Sequence, residues 1–294
     1  MSVQFFHPGS LQEALNMIAG NEHYTLLAGG TDVIPQMNIR RRRDLGTIVY
    51  LGDIAEMRTI TMQQNRLFIG AAVTHAQIGG SELVKQKAGN VWQSSYSLGT
   101  PAIRNAGTLG GNLVNASPSG DSCVALLAAG AEAVIRSVEQ NRVIDLADFF
   151  LGKGQTAISA GEILCGVNIP LADAAVTKTF SLQRIGLSKG ASTAVLNVAA
   201  EMETDKTGRC VACRVAGGAV APVPLRFGEI ERELTGTKVT AELIERSVRT
   251  IGGFIAPIDD SYATAAYRRQ VAPILVRRAL LEASGLNEGG DDSQ

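Results

Sequence analysis

Two glycine-containing stretches decide the fold: LLAGGTDV at residues 26–33 and TLGGNLVNASPSGD at residues 108–121. Each ends an apolar run with a Gly-Gly pair and continues with small or polar residues. Consecutive residues without a Cβ let the backbone turn sharply and present several N–H groups to one point, as proteins do around phosphate oxygens. Either loop alone is more simply a plain turn. Together, with Thr31 and Asn112 just after the glycines, they favour two loops that hold a diphosphate.

The composition is that of an ordinary globular protein. The chain has 294 residues, 45% hydrophobic and 19% charged, with a net charge of −1. At this length we expect two or three subdomains. A net charge near zero supplies no broad cationic field, so nucleic acid or an anionic membrane is not an expected partner. Glycine is costly in ordered chain, and its 32 occurrences beside only 5% aromatic residues need a reason.

Nothing in the sequence indicates export or a membrane. The amino terminus has no basic region followed by an apolar core, and no run of 18 apolar residues occurs. The four cysteines, at positions 123, 165, 210 and 213, are too few for a disulfide scaffold and fit a reducing compartment. We therefore expect a cytoplasmic protein with no membrane span.

The first part of the chain predicts a small β-α-β unit. Ser10 and Glu13 form a capping-box pattern at the start of a helix. A strand at 24–27, a brief helix after residue 33 and a strand at 47–51 follow.

The middle of the chain mixes helices and strands, and its glycine-rich segment, residues 100–112, is predicted to lack regular structure. From residue 178 the pattern changes to three strands and then two helices, which indicates an α+β unit. The predicted elements of that unit are strands at 180–185, 193–204 and 211–217 and helices at 240–251 and 261–283.

Other motifs carry less information. The sequence GKGQTA at 152–157 formally fits G-x-G-x-x-G/A but lacks the preceding strand and following helix of a Rossmann fold. Cys210 and Cys213 have C-x-x-C spacing in a strand-like run, where a period of two would place the thiols on opposite faces. No metal site is predicted, since a cluster or structural zinc needs about four ligands.

Two features keep two interpretations each. Asp121 follows a Ser-Pro-Ser-Gly turn, and it could close an Asx-type turn or accept a hydrogen bond from a ligand hydroxyl. The basic run Arg40 to Arg43 is most simply a solvated face, with a contact to a partner subunit as the alternative.

The order of LLAGGTDV, IRNAGTLGGN and NASPSGDS resembles the FAD-binding medium subunit of the molybdenum hydroxylase family. This family includes flavoprotein subunits of xanthine dehydrogenase, carbon monoxide dehydrogenase, and nicotinate or nicotine dehydrogenase. The similarity covers nearly the whole chain, including the carboxy-terminal sheet-and-helix unit. Two long motifs at the right separation are more specific than a single glycine loop.

The resemblance implies an α+β protein with a two-lobed FAD-binding domain of the vanillyl-alcohol-oxidase type and a carboxy-terminal domain with a sheet and helices. FAD would lie between the two lobes. The implied units are an amino-terminal FAD-binding lobe at 1–57, a second α/β lobe at 58–176, a three-stranded sheet with helices at 177–285 and a flexible tail at 286–294.

The same resemblance implies the cofactor contacts. Residues 28–32 and 108–112 would hold the diphosphate, Asp121 would meet the ribityl or adenosine part, and Leu98 and Leu164 would pack near the flavin. The full implied set is Leu27, Ala28, Gly29, Gly30, Thr31, Asp32, Val33, Leu98, Thr108, Gly110, Gly111, Asn112, Asp121, Leu164 and Gln183.

One position departs from the family pattern. Relatives often place a lysine or arginine near the flavin at the start of the carboxy-terminal domain, and our alignment puts Gln183 there with Arg184 beside it. Two possibilities follow: either Gln183 replaces the usual basic residue near the flavin, or Arg184 does. The cationic contact to the flavin, and any NAD site that depends on it, differ between the two.

The implied function is that of an oxidoreductase subunit. Electrons would come from a molybdenum cofactor on a large subunit through [2Fe-2S] clusters on a small subunit to FAD in this chain, and then pass to an acceptor such as NAD. We expect no catalytic acid, base or nucleophile here, because the cofactor carries the redox chemistry. The alternatives are a standalone FAD-dependent oxidoreductase and a flavin-free scaffold with the same fold.

Overall fold

The computed structural model describes residues 4–39, 44–187 and 193–286. Within these residues, helices and sheets alternate in three successive units, which confirms the predicted α+β class. The hypotheses about the Arg40–Arg43 run and about the tail after Leu286 lie outside the described residues.

The first unit is a three-stranded parallel sheet with two helices. Its central strand pairs in parallel with both neighbours, which confirms the predicted β-α-β connection. Ser10 caps the first helix by accepting a hydrogen bond from the Glu13 amide (3.2 Å), but the Glu13 carboxylate bonds to Gly9 instead of closing a capping box. The elements are β1 (Phe5–Phe6), α1 (Leu11–Ile18), β2 (Tyr24–Leu27), α2 (Val33–Asn38) and β3 (Thr47–Tyr50).

The second unit is a five-stranded antiparallel sheet with helices on one face. In spatial order its strands are β4 (Ile60–Gln63), β5 (Arg66–Gly70), β10 (Ile163–Pro170), β6 (Glu132–Arg136) and β7 (Asn141–Asp145). Between β5 and β6 the chain forms α3 (His75–Gly79), α4 (Glu82–Lys87), α5 (Gly89–Ser97), α6 (Pro101–Ala106), α7 (Leu109–Asn115) and α8 (Asp121–Ala128). A small hairpin, β8 (Phe150–Gly152) and β9 (Gln155–Thr156), precedes β10.

The third unit is a four-stranded antiparallel sheet followed by helices. Three strands were predicted, and the short fourth strand and the helix after it were missed. The elements are β11 (Thr177–Gly186), β12 (Ala194–Thr204), β13 (Cys210–Gly218), β14 (Leu225–Arg226), α9 (Gly228–Leu234), α10 (Ala241–Val248) and α11 (Ala265–Ser284).

Both faces of the third sheet are buried. Ala199 and Ala216 belong to the apolar core that the first and second units share, and Leu182 packs against that core. Leu196 and Val198 belong instead to a core shared with α11. Because neighbouring residues of a strand alternate between its faces, one face of this sheet contacts the preceding units and the other contacts its own helices.

The prediction that the two thiols at Cys210 and Cys213 face opposite sides of a strand is wrong. The pairing with β12 shifts between Glu203 and Thr204, so the strand contains a β-bulge at Val211. The extra residue brings both cysteines into the core of the third unit, with exposures of 0% and 5%.

Arg268 connects α11 to the rest of the third unit by hydrogen bonds. It is 1% exposed, and its guanidinium donates to the carbonyl oxygens of Val195 (3.0 Å) and Ile258 (2.6 Å) and to both carboxylate oxygens of Asp260 (2.9 and 2.8 Å). We predict that Arg268→Ala lowers the free energy of unfolding by about 3 kcal/mol, because it leaves buried acceptors unpaired. Chemical denaturation measures this loss. Arg269→Ala, at the exposed neighbouring residue, is the control. An equally small loss of unfolding free energy in both variants would contradict the stabilising role of Arg268.

Candidate functional site

The first glycine loop, residues 28–32, connects β2 to α2. Gly30 has a φ of +67°, which a residue with a Cβ adopts only with strain. Its carbonyl accepts a hydrogen bond from the Ile34 amide (3.0 Å). In the part of the chain that the structure describes, the amides of residues 29–32 have no hydrogen-bond acceptor. Four successive N–H groups are therefore available to an anionic ligand.

The second glycine segment is helical, which corrects the prediction that residues 100–112 lack regular structure. Thr100 caps α6, whose first residue is Pro101. Thr108 caps α7, where its hydroxyl accepts from the Gly111 amide (3.2 Å). Capping threonines and a proline in the first turn are strong helix-start signals, and here they outweigh the low helix propensity of glycine.

The glycine at position 110 serves packing. A Cβ there would lie 2.5 Å from the Ala71 Cβ and 2.8 Å from the Ala71 carbonyl oxygen. The Gly110 amide donates to that carbonyl (2.8 Å), and the Leu109 amide donates to Val73 (2.9 Å). The expectation that both Gly-Gly pairs expose their amides to a ligand is therefore wrong for the second pair, whose amides are already bonded within the protein.

The two glycine segments lie in direct backbone contact. A Cβ at Gly29 would overlap the Ala106 carbonyl oxygen and would lie 2.7 Å from its carbonyl carbon and 3.0 Å from the Gly107 Cα. The Thr31 hydroxyl lies 3.4 Å from the position of a Cβ at Gly107. The structure thus brings residues 28–32 to the turn between α6 and α7.

Asn112 offers a side chain at the same place. It is half-buried, and its Oδ1 lies 3.6 Å from the Sγ of Cys123. Burial raises the pKa of the Cys123 thiol to about 12, so the thiol stays protonated and donates to this oxygen. The Asn112 amino group is then the end that remains for another acceptor.

Asp121, at the start of α8, connects the second unit to the third. It is buried, and its carboxylate accepts from Arg184 Nε (3.1 Å) and from Asn197 Nδ2. Burial raises the pKa of Asp121, while the hydrogen bond from Asn197 and the charge of Arg184 oppose that rise. The Asp121 carboxylate therefore links the second and third units by hydrogen bonds and, among the described residues, does not close a local turn. Its contact with a ligand hydroxyl stays a prediction.

The structure does not bring Gln183 to the crossing of the two loops. Its side-chain amide donates to Glu282 (2.5 Å) and Ser181 (3.2 Å), on the face of β11 that packs against α11. Arg184 lies on the other face and reaches Asp121. The basic group on the face of β11 that contacts the second unit is therefore Arg184.

Four other predicted residues lie around the loops. Leu27 ends β2 and Val33 begins α2, so both flank the first loop. Leu98 follows α5, and its carbonyl accepts from Arg104 (3.0 Å) just ahead of α6. Leu164 is buried in β10, next to Cys165, whose carbonyl accepts from the Ala71 amide (2.8 Å).

Sequence reasoning missed His75. Its amide donates to the Gly107 carbonyl (3.0 Å), and its Nδ1 lies 3.2 Å from the Ser95 hydroxyl. The ring is 2% exposed, and burial lowers its pKa to about 4, so it is neutral at pH 7. A signal existed in the capping box formed by Thr74 and Gln77, which places His75 at the start of α3.

In the described ranges, no three or more histidine, cysteine, aspartate or glutamate side chains come together as metal ligands. No helix in the same ranges is long and apolar enough to span a membrane.

Two family models cover the chain. The FAD binding domain in molybdopterin dehydrogenase matches residues 1–172, and the CO dehydrogenase flavoprotein C-terminal domain matches residues 186–283. The chain therefore belongs to the family of FAD-binding medium subunits of molybdenum hydroxylases, as the sequence motifs predicted.

Individual relatives match over nearly their whole length. The chain is 26% identical over 292 residues to the nicotinate dehydrogenase FAD-subunit of Eubacterium barkeri, covering 98% of each. It is 28% identical to the carbon monoxide dehydrogenase medium chain of Afipia carboxidovorans, covering 95% of this chain and 96% of that one. A crystal structure of a Cu,Mo-CO dehydrogenase superposes with a TM-score of 0.90 at 27% identity, covering 98% of this chain and 99% of that one. This similarity confirms the predicted fold.

We predict that Gly29→Ala weakens FAD binding at least about tenfold, because a Cβ at this position forces the two loop backbones apart. Quenching of FAD fluorescence on titration with the protein gives the dissociation constant. Gly228→Ala is the matched control, since a Cβ at Gly228 has no atom within 4 Å. Equal affinities of the two variants would contradict a functional contact at Gly29.

A second prediction concerns pH. Because the pKa of His75 is about 4 in the folded protein and ordinarily 6.5, the unfolded chain binds the extra proton as the pH falls. Stability from this group is complete above pH 6.5 and decreases toward pH 4, by about 2 kcal/mol between pH 7.5 and pH 5.

His75→Gln should remove this part of the pH dependence of the unfolding free energy, measured by denaturant titration at both pH values. His23→Gln, at an exposed histidine, should retain it. An unchanged pH dependence in His75→Gln would show that His75 is not the buried neutral group.

Proposed function

We propose that this chain is the FAD-binding, electron-transferring subunit of a multi-subunit molybdenum hydroxylase similar to xanthine dehydrogenase. Its partners would be a large subunit with the molybdenum cofactor and a small subunit with [2Fe-2S] clusters, and the final acceptor would be NAD or another oxidant. FAD, when bound, supplies reversible uptake and release of electrons, and the residues of this chain hold and orient it. We place the complex in the cytoplasm.

The observation that carries the proposal is the crossing of the two loops. Residues 29–32 supply four amides without an acceptor among the described residues, and the crossing leaves no room for a Cβ at Gly29. A row of free amides fits the oxygens of a diphosphate, which they can neutralise without lysine or arginine. This donor set supports FAD as the ligand that the family membership indicates.

Side chains beside the amides complete the proposed contacts. Thr31 lies at the crossing, and Asn112 has its amino group free for an acceptor because Cys123 donates to its oxygen. The Asp121 oxygens each keep a second lone pair after bonding to Arg184 and Asn197. We therefore retain Asp121 as an acceptor for a ribityl or ribose hydroxyl.

Arg184 takes the place that the sequence comparison gave to Gln183. It faces the FAD-binding lobes, and its ion pair with Asp121 fixes it at the start of α8. We propose that Arg184 supplies positive charge on the flavin side of the site, where it would stabilise the added negative charge of a reduced flavin.

The cysteine positions support the division of labour among subunits. Cys123, Cys165, Cys210 and Cys213 are all buried, the first two in one apolar core and the last two in the other, so neither core holds four. A [2Fe-2S] cluster needs four ligands at one place, so we assign the clusters to a partner chain.

The direct test is the FAD content of the purified full-length chain. We expect a yellow protein that releases FAD in acid. Gly111→Asp should abolish FAD retention, because it adds a carboxylate beside the proposed diphosphate position. Gly252→Asp, an exposed glycine of the third unit, should retain FAD. A colourless wild-type protein that FAD does not stabilise would refute the flavin proposals and favour the scaffold.

Isolation from the native source separates a subunit from a standalone enzyme. We expect two further chains to co-purify, one large and one with clustered cysteines. A monomer with full dehydrogenase activity on its own would support the standalone oxidoreductase.

A further inference from the structure

A groove lies between α1 and the half-exposed face of the five-stranded sheet. It consists of two cavities of about 270 and 360 Å³, and the side chains of Leu11, Glu56 and Arg136 line both. None of the residues in the two glycine loops lines either cavity. The groove is therefore separate from the proposed FAD site.

Two opposite charges lie where the cavities meet. Among residues 4–39, 44–187 and 193–286, the guanidinium of Arg136 has neither a carboxylate nor a carbonyl partner. One carboxylate oxygen of Glu56 accepts from the Leu11 amide (3.0 Å), and no described cation lies within ion-pair distance of it. Arg136 and Glu56 thus do not neutralise each other directly, and the smaller cavity has one further carboxylate, that of Glu139.

Cys165 shows that both charges border the same point of the groove. The thiol lines the larger cavity and is 5% exposed. Burial raises its pKa to about 12, and of the two neighbouring charges Arg136 opposes that rise while Glu56 adds to it. The thiol is therefore protonated and unreactive, and it adds a neutral surface to the larger cavity.

The larger cavity adds an apolar surface beside the charges. Phe68, Val134 and Met57 line it, and Phe68 and Val134 are half-buried on the outer face of the sheet. Thr59 and Thr61 line this cavity as well. A cavity of about 360 Å³ is within the size range of small-molecule sites, which combine apolar walls with a few polar groups.

We propose that this groove binds a free α-amino acid with an apolar side chain. The ligand's carboxylate pairs with Arg136, its ammonium group pairs with Glu56, and its side chain lies against Phe68 and Val134. A zwitterion satisfies both charges at once, whereas a simple carboxylate is repelled by Glu56 and a simple amine by Arg136. An aromatic side chain gains most from the ring of Phe68.

The test uses isothermal titration of the full-length chain with three probes of similar shape. L-phenylalanine carries both charges, 3-phenylpropionate only the carboxylate, and phenethylamine only the ammonium group. We expect L-phenylalanine to bind at least about tenfold more tightly than the other two, since it alone makes both charged contacts.

Two variants give opposite patterns. Arg136→Gln should lower the affinity for L-phenylalanine at least about tenfold and leave the affinity for phenethylamine equal or higher. Glu56→Gln keeps an acceptor for the Leu11 amide. It should lower the affinity for L-phenylalanine and raise the affinity for 3-phenylpropionate. Arg209→Gln, at an exposed arginine outside the groove, should change none of the three affinities.

FAD content of each variant is recorded alongside, and it should equal that of the wild type because the loops do not line the groove. No saturable heat with L-phenylalanine, or the same affinity in Arg136→Gln as in Arg209→Gln, would overturn the proposed amino-acid site. A colourless wild-type protein that binds L-phenylalanine as expected would instead argue only against the flavin assignment.

Discussion

The contact of the Gly29 backbone with Ala106 and Gly107 is the constraint on which the site depends. It brings the loop after a parallel strand of the first unit against the turn between two helices of the second. That turn is fixed from behind, because Thr108 pairs with Thr74 in an isolated β-bridge and Gly110 packs on Ala71. With the turn fixed and no Cβ at Gly29, the four amides of residues 29–32, which have no acceptor among the described residues, are left for a ligand and need no large cationic surface.

The third unit packs against the second unit through its sheet. Its sheet shares apolar residues with the core of the second unit, and Asp121, Arg184 and Asn197 add a buried polar link across the same boundary. The register of β11 decides what this link presents. With Leu182 turned toward the lobes, Arg184 faces them too and Gln183 faces α11. A shift by one residue would exchange these two side chains, so the position of the positive charge depends on strand pairing.

The sequence predicts the features that single residue types determine. Gly-Gly pairs indicate close backbone contacts, and the strands and helices with clear periodicity were predicted correctly, from the β-α-β unit to α11. The errors arise where the conformation of a segment depends on a residue far away in the chain. The bulge that brings Cys210 and Cys213 together depends on the pairing with β12. The amides of the second glycine segment are occupied by Ala71 and Val73, some forty residues away in the chain. His75 had no recognisable partner until the fold placed it beside Gly107.

A crystal structure of the full-length chain grown with FAD tests the central claim most directly. The account predicts that the diphosphate oxygens lie within hydrogen-bond distance of the amides of residues 29–32, with the Gly29 backbone still against Ala106. A diphosphate bound elsewhere on the chain, or FAD bound while the two loops lie apart, would contradict it.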